Sequence, residues 1–138
     1  MSALHTELAL HTTRRESATD ITDRVREHVR HSRITDGLCV VASRHTTAAV
    51  FVNENADPDV LADLFRRLDG LVPKDGRDRH AEGNSPAHVK AILVGSSVTV
   101  PVRDGELDLG RWQGIFFADF DGPRERVATV TVSGERPD

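Results

Sequence analysis

Cysteine and large aromatic residues are scarce in this sequence. Of 138 residues, one is cysteine, one is tryptophan and none is tyrosine. A single cysteine, Cys39, excludes an internal disulfide and is typical of the reducing cytoplasm, where we expect the protein to reside. Cys39 lies in the apolar run at 38–41, so we expect a packed thiol and not a nucleophile.

Long hydrophobic runs are absent as well. No apolar stretch approaches the roughly 20 residues that a membrane-spanning helix needs. The first seven residues lack the basic and apolar regions of a signal peptide. The net charge is −4 and the pI is about 5.9, which argues against general binding to nucleic acid. We therefore expect neither a membrane nor a nucleic acid as a partner.

Several common catalytic signatures are missing. The sequence has no Walker phosphate-binding loop, no dinucleotide-binding glycine fingerprint, no serine nucleophile elbow and no paired C-x-x-C motif. These absences argue against nucleotide hydrolysis at a Walker site, Rossmann redox chemistry and serine hydrolysis. Histidine is the residue type that stands out, because seven are present and imidazole is both a common metal ligand and a common acid–base group.

Periodicity and capping signals predict two to three helices. Apolar residues recur at every fourth position from 21 to 29, which indicates an amphipathic helix. Asp57 and Pro58 form the clearest helix start, because aspartate caps the first amides and proline fits the first helical position. A Ser-Pro pair at 85–86 repeats this signal before a short third helix that Gly95 ends.

Alternation of apolar and polar residues predicts the remaining elements as strands. They are expected at 4–12, 38–42, 46–53, 98–103, 107–109, 115–120 and 127–132. The second and third of these follow one another closely, so they form either a hairpin or one interrupted strand. The helices are grouped within strands joined mainly by hairpins. This order predicts an α+β fold, a single compact domain over 1–138 in which two to three helices pack on a mostly antiparallel sheet.

Three histidines lie at the boundaries of predicted elements. His45 precedes a strand, His80 lies in a polar loop and His88 lies in the first turn of the third helix. A transition-metal site needs three or four imidazole or carboxylate ligands that converge. A helix start disfavours a positive charge, so we expect His88 to be available as a ligand. The alternative is three unrelated polar residues, since their spacing matches no short metal-binding motif.

Groups suited to a phosphate lie near these histidines in the sequence. The loop at 80–84 carries Glu82 and Asn84, and Lys90 stands one turn into the following helix, whose free N–H groups favour an anion. Arg124 is a second cation that suits a phosphate or a carboxylate. The alternatives are a capped surface loop with a solvated Lys90 and a structural ion pair at Arg124.

Five short motifs follow one another along nearly the whole chain. They read His-Thr-Thr-Ala-Ala at 45–49, Asn-Glu-Asn-Ala-Asp-Pro-Asp-Val at 53–60, His-Ala-Glu-Gly-Asn at 80–84 with Ala-His-Val-Lys at 87–90, Gly-Arg-Trp-Gln-Gly-Ile at 110–115, and Asp-Gly-Pro-Arg at 121–124. In this order they resemble the YjbQ family, whose described activity is that of a secondary thiamine-phosphate synthase. One departure is Asp119, where we expect the family to carry the longer Glu.

The resemblance implies a YjbQ-like α+β domain that assembles as a homotrimer with a polar pocket. By their positions in the motifs, His45, His80 and His88 are its metal or acid–base set, and His45, Glu82 and His88 are its catalytic groups. The residues implied to bind the substrate and its phosphate are Asn84, Lys90, Gln113 and Arg124.

The implied reaction is a transfer in thiamine biosynthesis. It joins hydroxymethylpyrimidine diphosphate to a thiazole phosphate and releases pyrophosphate. A histidine-rich site suits Zn²⁺ or another transition metal better than Mg²⁺. Two alternatives are a metal-dependent hydrolase of a small phosphorylated or amide substrate, with Glu82 as the base, and a non-catalytic trimeric module that binds a ligand or a metal.

Overall fold

Three helices and eight strands make up residues 1–137, the part of the chain that this computed structural model describes. In chain order they are β1 (Ser2–His11), β2 (Ser17–Asp20), α1 (Thr22–Ser32), β3 (Asp36–Ser43), β4 (Ala48–Glu54), α2 (Pro58–Leu71), α3 (Ser85–Val94), β5 (Ser97–Arg103), β6 (Glu106–Leu107), β7 (Gln113–Asp119) and β8 (Glu125–Glu135). The large sheet has the order β1-β8-β3-β5-β6, and the small sheet has the order β2-β7-β4. All pairings are antiparallel, so the predicted α+β class is confirmed.

The capping signals locate the helix starts to within one residue. The carboxylate of Asp57 accepts the N–H of Asp59 at 2.9 Å, and Pro58 opens α2 as expected. The third helix begins at Ser85 itself, with Asn84 at the capping position and no side-chain cap bond. The helix therefore starts one residue earlier than the Ser-Pro pair suggests.

Two strand predictions differ from the structure. The short strand β2 was not expected, because it contains one apolar residue in four. The strands β3 and β4 form neither a hairpin nor one interrupted strand. Each belongs to a different sheet, since β3 pairs with β5 and β8 while β4 pairs with β7.

Two apolar clusters hold these elements together. The larger joins α1 to both sheets and includes Ile21, Val25, Val41 and Phe117, all of which are fully buried. The smaller attaches α2 and α3 to the small sheet through Ala49, Leu68, Ala87, Ala91, Ala118 and Phe120. No helix within 1–137 combines the length and apolar character that crossing a membrane requires.

The small sheet brings distant parts of the chain to one edge. Its central strand β7 ends at Asp119, which pairs with Ser17 at the start of β2 and with Ala48 at the start of β4. The segment before β4 and the turn after β7 therefore meet at this end. Gly122 lies in that turn because a Cβ there would fall 2.2 Å from the carbonyl oxygen of Arg14.

Candidate functional site

A polar cavity of about 280 Å³ opens at this end of the small sheet. Three arginines line it, Arg44, Arg124 and Arg126, together with the histidines His45 and His88. Its other lining side chains are Thr46, Thr47, Glu82, Asn84 and Asp121. Five of the predicted site residues, His45, Glu82, Asn84, His88 and Arg124, are thus brought together around one cavity, although they come from three separate segments.

A buried ion pair forms the floor of the cavity. Asp119 is fully buried and accepts from Arg126 Nε at 3.0 Å and from Arg126 Nη2 at 2.6 Å. The same carboxylate accepts the Thr12 hydroxyl at 2.7 Å and the Asp121 N–H at 2.9 Å. Burial alone raises the pKa of the Asp119 carboxyl, but these hydrogen bonds outweigh burial and the pKa lies below its ordinary value.

Arg126 is held rigidly by this arrangement. Its side chain is 4% exposed, and Nη2 also donates to the Thr47 hydroxyl at 2.8 Å. Because Nε and Nη2 are the nitrogens that pair within residues 1–137, Nη1 remains the free donor of the guanidinium. A charge fixed in this way pays little conformational entropy when it binds an anion.

His45 is neutral in this site. Burial lowers the pKa of its imidazole, and the positive charge of Arg126 lowers it further. Its Nε2 accepts the backbone N–H of Val127 at 2.8 Å, so the ring proton of the neutral form lies on Nδ1. His45 therefore offers one N–H donor, at Nδ1. The hydrogen bond from Val127, near the start of β8, fixes this tautomer.

The side of the cavity formed by the loop before α3 contains an unpaired acceptor. Asn84 Nδ2 donates to Asp121 Oδ2 at 2.7 Å, and Arg124 Nη2 donates to the same oxygen at 3.0 Å. Asn84 Oδ1 is buried and has no hydrogen-bond partner, the one such side-chain atom among the described residues. Since an unpaired buried carbonyl is unfavourable, a ligand that donates a hydrogen bond would stabilise this position.

His80 lies beside His88, and His88 shares the cavity with His45, but within residues 1–137 the three imidazoles are not arranged as a ligand set. The His80 ring packs edge-on against the His88 ring, with centroids 5.1 Å apart. His45 already uses Nε2 for the Val127 amide, and within 1–137 no group of three His, Cys, Asp or Glu side chains is placed to hold a metal ion. The residues as arranged do not fit the implied transition metal, and metal binding stays a prediction.

Lys90 lies outside the cavity and is not a solvated surface charge. It follows His88 by two residues, which is about 200° around a helix, so the two side chains leave α3 on opposite faces. Lys90 is 3% exposed; its ammonium donates to Glu16 at 2.9 Å and to Asp69. Burial lowers the pKa of Lys90, but these two bonds outweigh it and raise the pKa above its ordinary value.

Gln113 is also distant from the cavity within one chain. It begins β7, whereas Asp119 ends that strand, and six residue steps span about 20 Å. Its side-chain oxygen accepts the N–H of Gly110 at 2.7 Å. The neighbouring Trp112 is 55% exposed. This motif therefore forms a separate surface at the far end of the small sheet.

Sequence reasoning missed Arg126, which lies at the centre of the site. A signal was present in the strand pattern. In β8 the residues at 126, 128, 130, 132 and 134 all face inward, so the arginine occupies a position where the alternation predicts an apolar residue. A charged residue at an inward strand position requires a buried partner, and Asp119 is that partner.

Comparisons with known proteins agree on one family. Residues 6–135 match the family model described as "UPF0047 protein YjbQ-like". The UPF0047 protein MJ1081 of Methanocaldococcus jannaschii is 46% identical over 91% of this chain and 91% of its own length. The UPF0047 protein YugU of Bacillus subtilis is 45% identical over 92% of this chain and 97% of its own.

Solved structures give the same result for the fold. A yjbq/upf0047 family protein of Clostridium acetobutylicum superimposes with a TM-score of 0.91 at 47% identity, over 93% of this chain and 99% of that one. A protein of Sulfolobus solfataricus described as of unknown function superimposes with a TM-score of 0.93 at 33% identity, over 97% of this chain and 99% of that one.

Proposed function

The chain belongs to the YjbQ-like family UPF0047. From that premise we propose that its polar cavity binds the phosphate of a small substrate and promotes a group-transfer reaction of that substrate. The observation that carries this proposal is the guanidinium of Arg126. It lines the cavity, is almost fully buried, and is oriented by Asp119 and Thr47, which leave Nη1 without a partner within residues 1–137. Such a pre-organised cation is suited to an oxyanion.

The neighbouring groups support a phosphate more than a simple cation or a neutral ligand. Arg44 and Arg124 line the same cavity as Arg126, and the neutral ring of His45 adds an N–H donor. Glu82 and Asp121 in the lining and Asp119 behind Arg126 formally balance these three positive charges, so the fixed donor groups and not a net charge favour a phosphate. The site therefore favours a phosphate that also carries a hydrogen-bond donor nearby, which the free acceptor of Asn84 would receive.

The specific reaction that we propose is the one implied by the family, formation of thiamine phosphate. The bond between the pyrimidine methylene carbon and the diphosphate oxygen breaks, and both electrons leave with pyrophosphate. The thiazole nitrogen then forms a bond to that carbon. Arg124 and Arg126 would stabilise the charge that develops on pyrophosphate, and His45 would donate one further hydrogen bond.

Product analysis with the two thiamine precursors tests this reaction. We expect purified protein to release equal amounts of thiamine phosphate and pyrophosphate, measured by liquid chromatography with mass spectrometry.

Arg124→Gln removes a cation whose side chain is half exposed, and we expect it to weaken phosphate binding about tenfold or more. Arg30→Gln is the matched control, because Arg30 also pairs with a surface carboxylate, Glu106, and lies outside the cavity.

Hydrolysis is a second candidate because Glu82 lines the cavity beside the phosphate-binding groups. In that reaction Glu82 takes a proton from water and the water oxygen forms a bond to phosphorus. The bond from phosphorus to the ester oxygen breaks, and that oxygen leaves with both electrons and takes up a proton. Turnover of p-nitrophenyl phosphate that is lost in Glu82→Gln would support the hydrolase. Phosphate binding without either turnover would support the non-catalytic binding module.

A further inference from the structure

We propose that the cavity continues into an apolar compartment which binds the carbon body of the substrate, so that the ligand class is an organic phosphate with an apolar ring or chain. This inference rests on the proposed function, because it assumes that the polar cavity holds the phosphate. The compartment is about 510 Å³ in volume. His45, Thr46 and His88 line both it and the polar cavity, so the two spaces adjoin.

The contrast between the two compartments follows from the positions of side chains along α3. His88, Ala91 and Ile92 are spaced by three and four residues, which places them on one face of the helix. That face begins with an imidazole at the polar cavity and becomes apolar one turn later. A ligand that lies along this face meets hydrogen-bonding groups at one end and hydrocarbon at the other.

Small residues keep the apolar compartment open. Its walls include Ala48 at the start of β4 and Ala91 in α3, and the chain leaves the helix through Gly95 and Ser96. Larger side chains at these positions would fill the space. The large apolar residue of the lining is Ile92, which is 79% exposed and therefore has most of its surface available to an apolar ligand.

Charged side chains stand at only one end of the combined space. The compartment itself is lined by no carboxylate and no Lys or Arg within residues 1–137. The arginines stand only on the polar side of the shared wall. A molecule that uses both compartments therefore has its negative charge at one end.

Binding measurements with three phosphates test this inference. Inorganic phosphate, methyl phosphate and phenyl phosphate are titrated into the purified protein by isothermal calorimetry. We expect phenyl phosphate to bind about tenfold or more tightly than methyl phosphate, because its ring removes apolar surface from water. Equal affinities for the two esters would overturn the inference while leaving the phosphate site intact. Failure of all three to bind would overturn the proposed function itself.

Two variants locate the ring. Ile92→Ser should remove most of the preference for phenyl phosphate and leave inorganic phosphate unchanged. Ser96→Leu should fill the compartment and exclude phenyl phosphate but not methyl phosphate. Leu93→Ser is the matched control, since Leu93 is an exposed neighbour in α3 that does not line the compartment. If Ile92→Ser changed the mass measured by light scattering and not the preference, a second copy of the chain would be the occupant, and the inference would be wrong.

Discussion

Replacing Asp119 with asparagine tests how the floor of the cavity is held together. The substitution keeps the shape of the side chain but removes the charge that balances Arg126, which is 4% exposed. Breaking a buried ion pair by neutralising one partner costs about 3–5 kcal/mol, because the other charge stays buried. A domain of ordinary stability has about 5–15 kcal/mol in total, so the loss is a large fraction of it.

Urea denaturation measures this loss directly. With a slope of about 2 kcal/mol per molar urea, a loss of about 4 kcal/mol lowers the midpoint by about 2 M. Asp108→Asn is the control, because Asp108 pairs with Arg103 on the surface and its removal should cost less than about 1 kcal/mol. If Asp119→Asn lowered the midpoint no more than this control, Arg126 would not depend on Asp119 for its burial.

The same substitution has a characteristic pH dependence. The pKa of Asp119 is lower in the folded protein than in the unfolded chain, where it is about 3.9. Its contribution to stability is therefore fully present above about pH 4 and disappears as the pH falls through the folded pKa. The difference in midpoint between the wild type and Asp119→Asn should be constant near neutral pH and should shrink in acid. A difference that grew in acid would contradict the assigned direction.

Three further predictions follow from other parts of the structure. Lys90→Met should lower the free energy of unfolding by about 1–3 kcal/mol, since Glu16 and Asp69 lose their shared cation, yet it should leave the affinity for inorganic phosphate within about twofold. Dialysis against a chelator, followed by elemental analysis, should not change that affinity, because the phosphate-binding groups that we propose are guanidinium and imidazole N–H donors; a loss of phosphate binding would show that a bound metal takes part. Light scattering should report three times the 15.2 kDa chain mass for a homotrimer, which would cover exposed apolar residues of β3 such as Leu38, and a mass near that of one chain would contradict it.

Helices and strands whose signals lie in neighbouring residues were predictable from the sequence. Asp57 and Pro58 predict the start of α2 because a cap and a fixed backbone angle are properties of adjacent residues. Alternating valines from 98 to 102 predict β5 for the same reason. The assignment of β3 and β4 to different sheets was not predictable in this way, since each strand pairs with partners more than fifty residues away.

The candidate site was likewise predictable only in part from the sequence. Motif order indicates that His45, His88 and Arg124 share a pocket, and the structure places all three around one cavity. Motif order alone groups Lys90 and Gln113 with these residues. The two-residue spacing of His88 and Lys90 in the predicted helix already places them on opposite faces, whereas the distance of about 20 Å from Gln113 to Asp119 matters only once the structure shows which end of β7 meets the cavity.

The ion pair of Asp119 and Arg126 has a consequence for how this site can evolve. Asp119 ends a strand of the small sheet, and Arg126 belongs to a strand of the large sheet, so the pair fastens the two sheets together. Substitutions that alter this part of the cavity therefore also alter global stability. New ligand preferences are more readily acquired through the exposed positions of α3 and the loop before it, which can vary without separating the sheets. The site is thus not a transferable module, because the groups that would bind phosphate are also part of the scaffold.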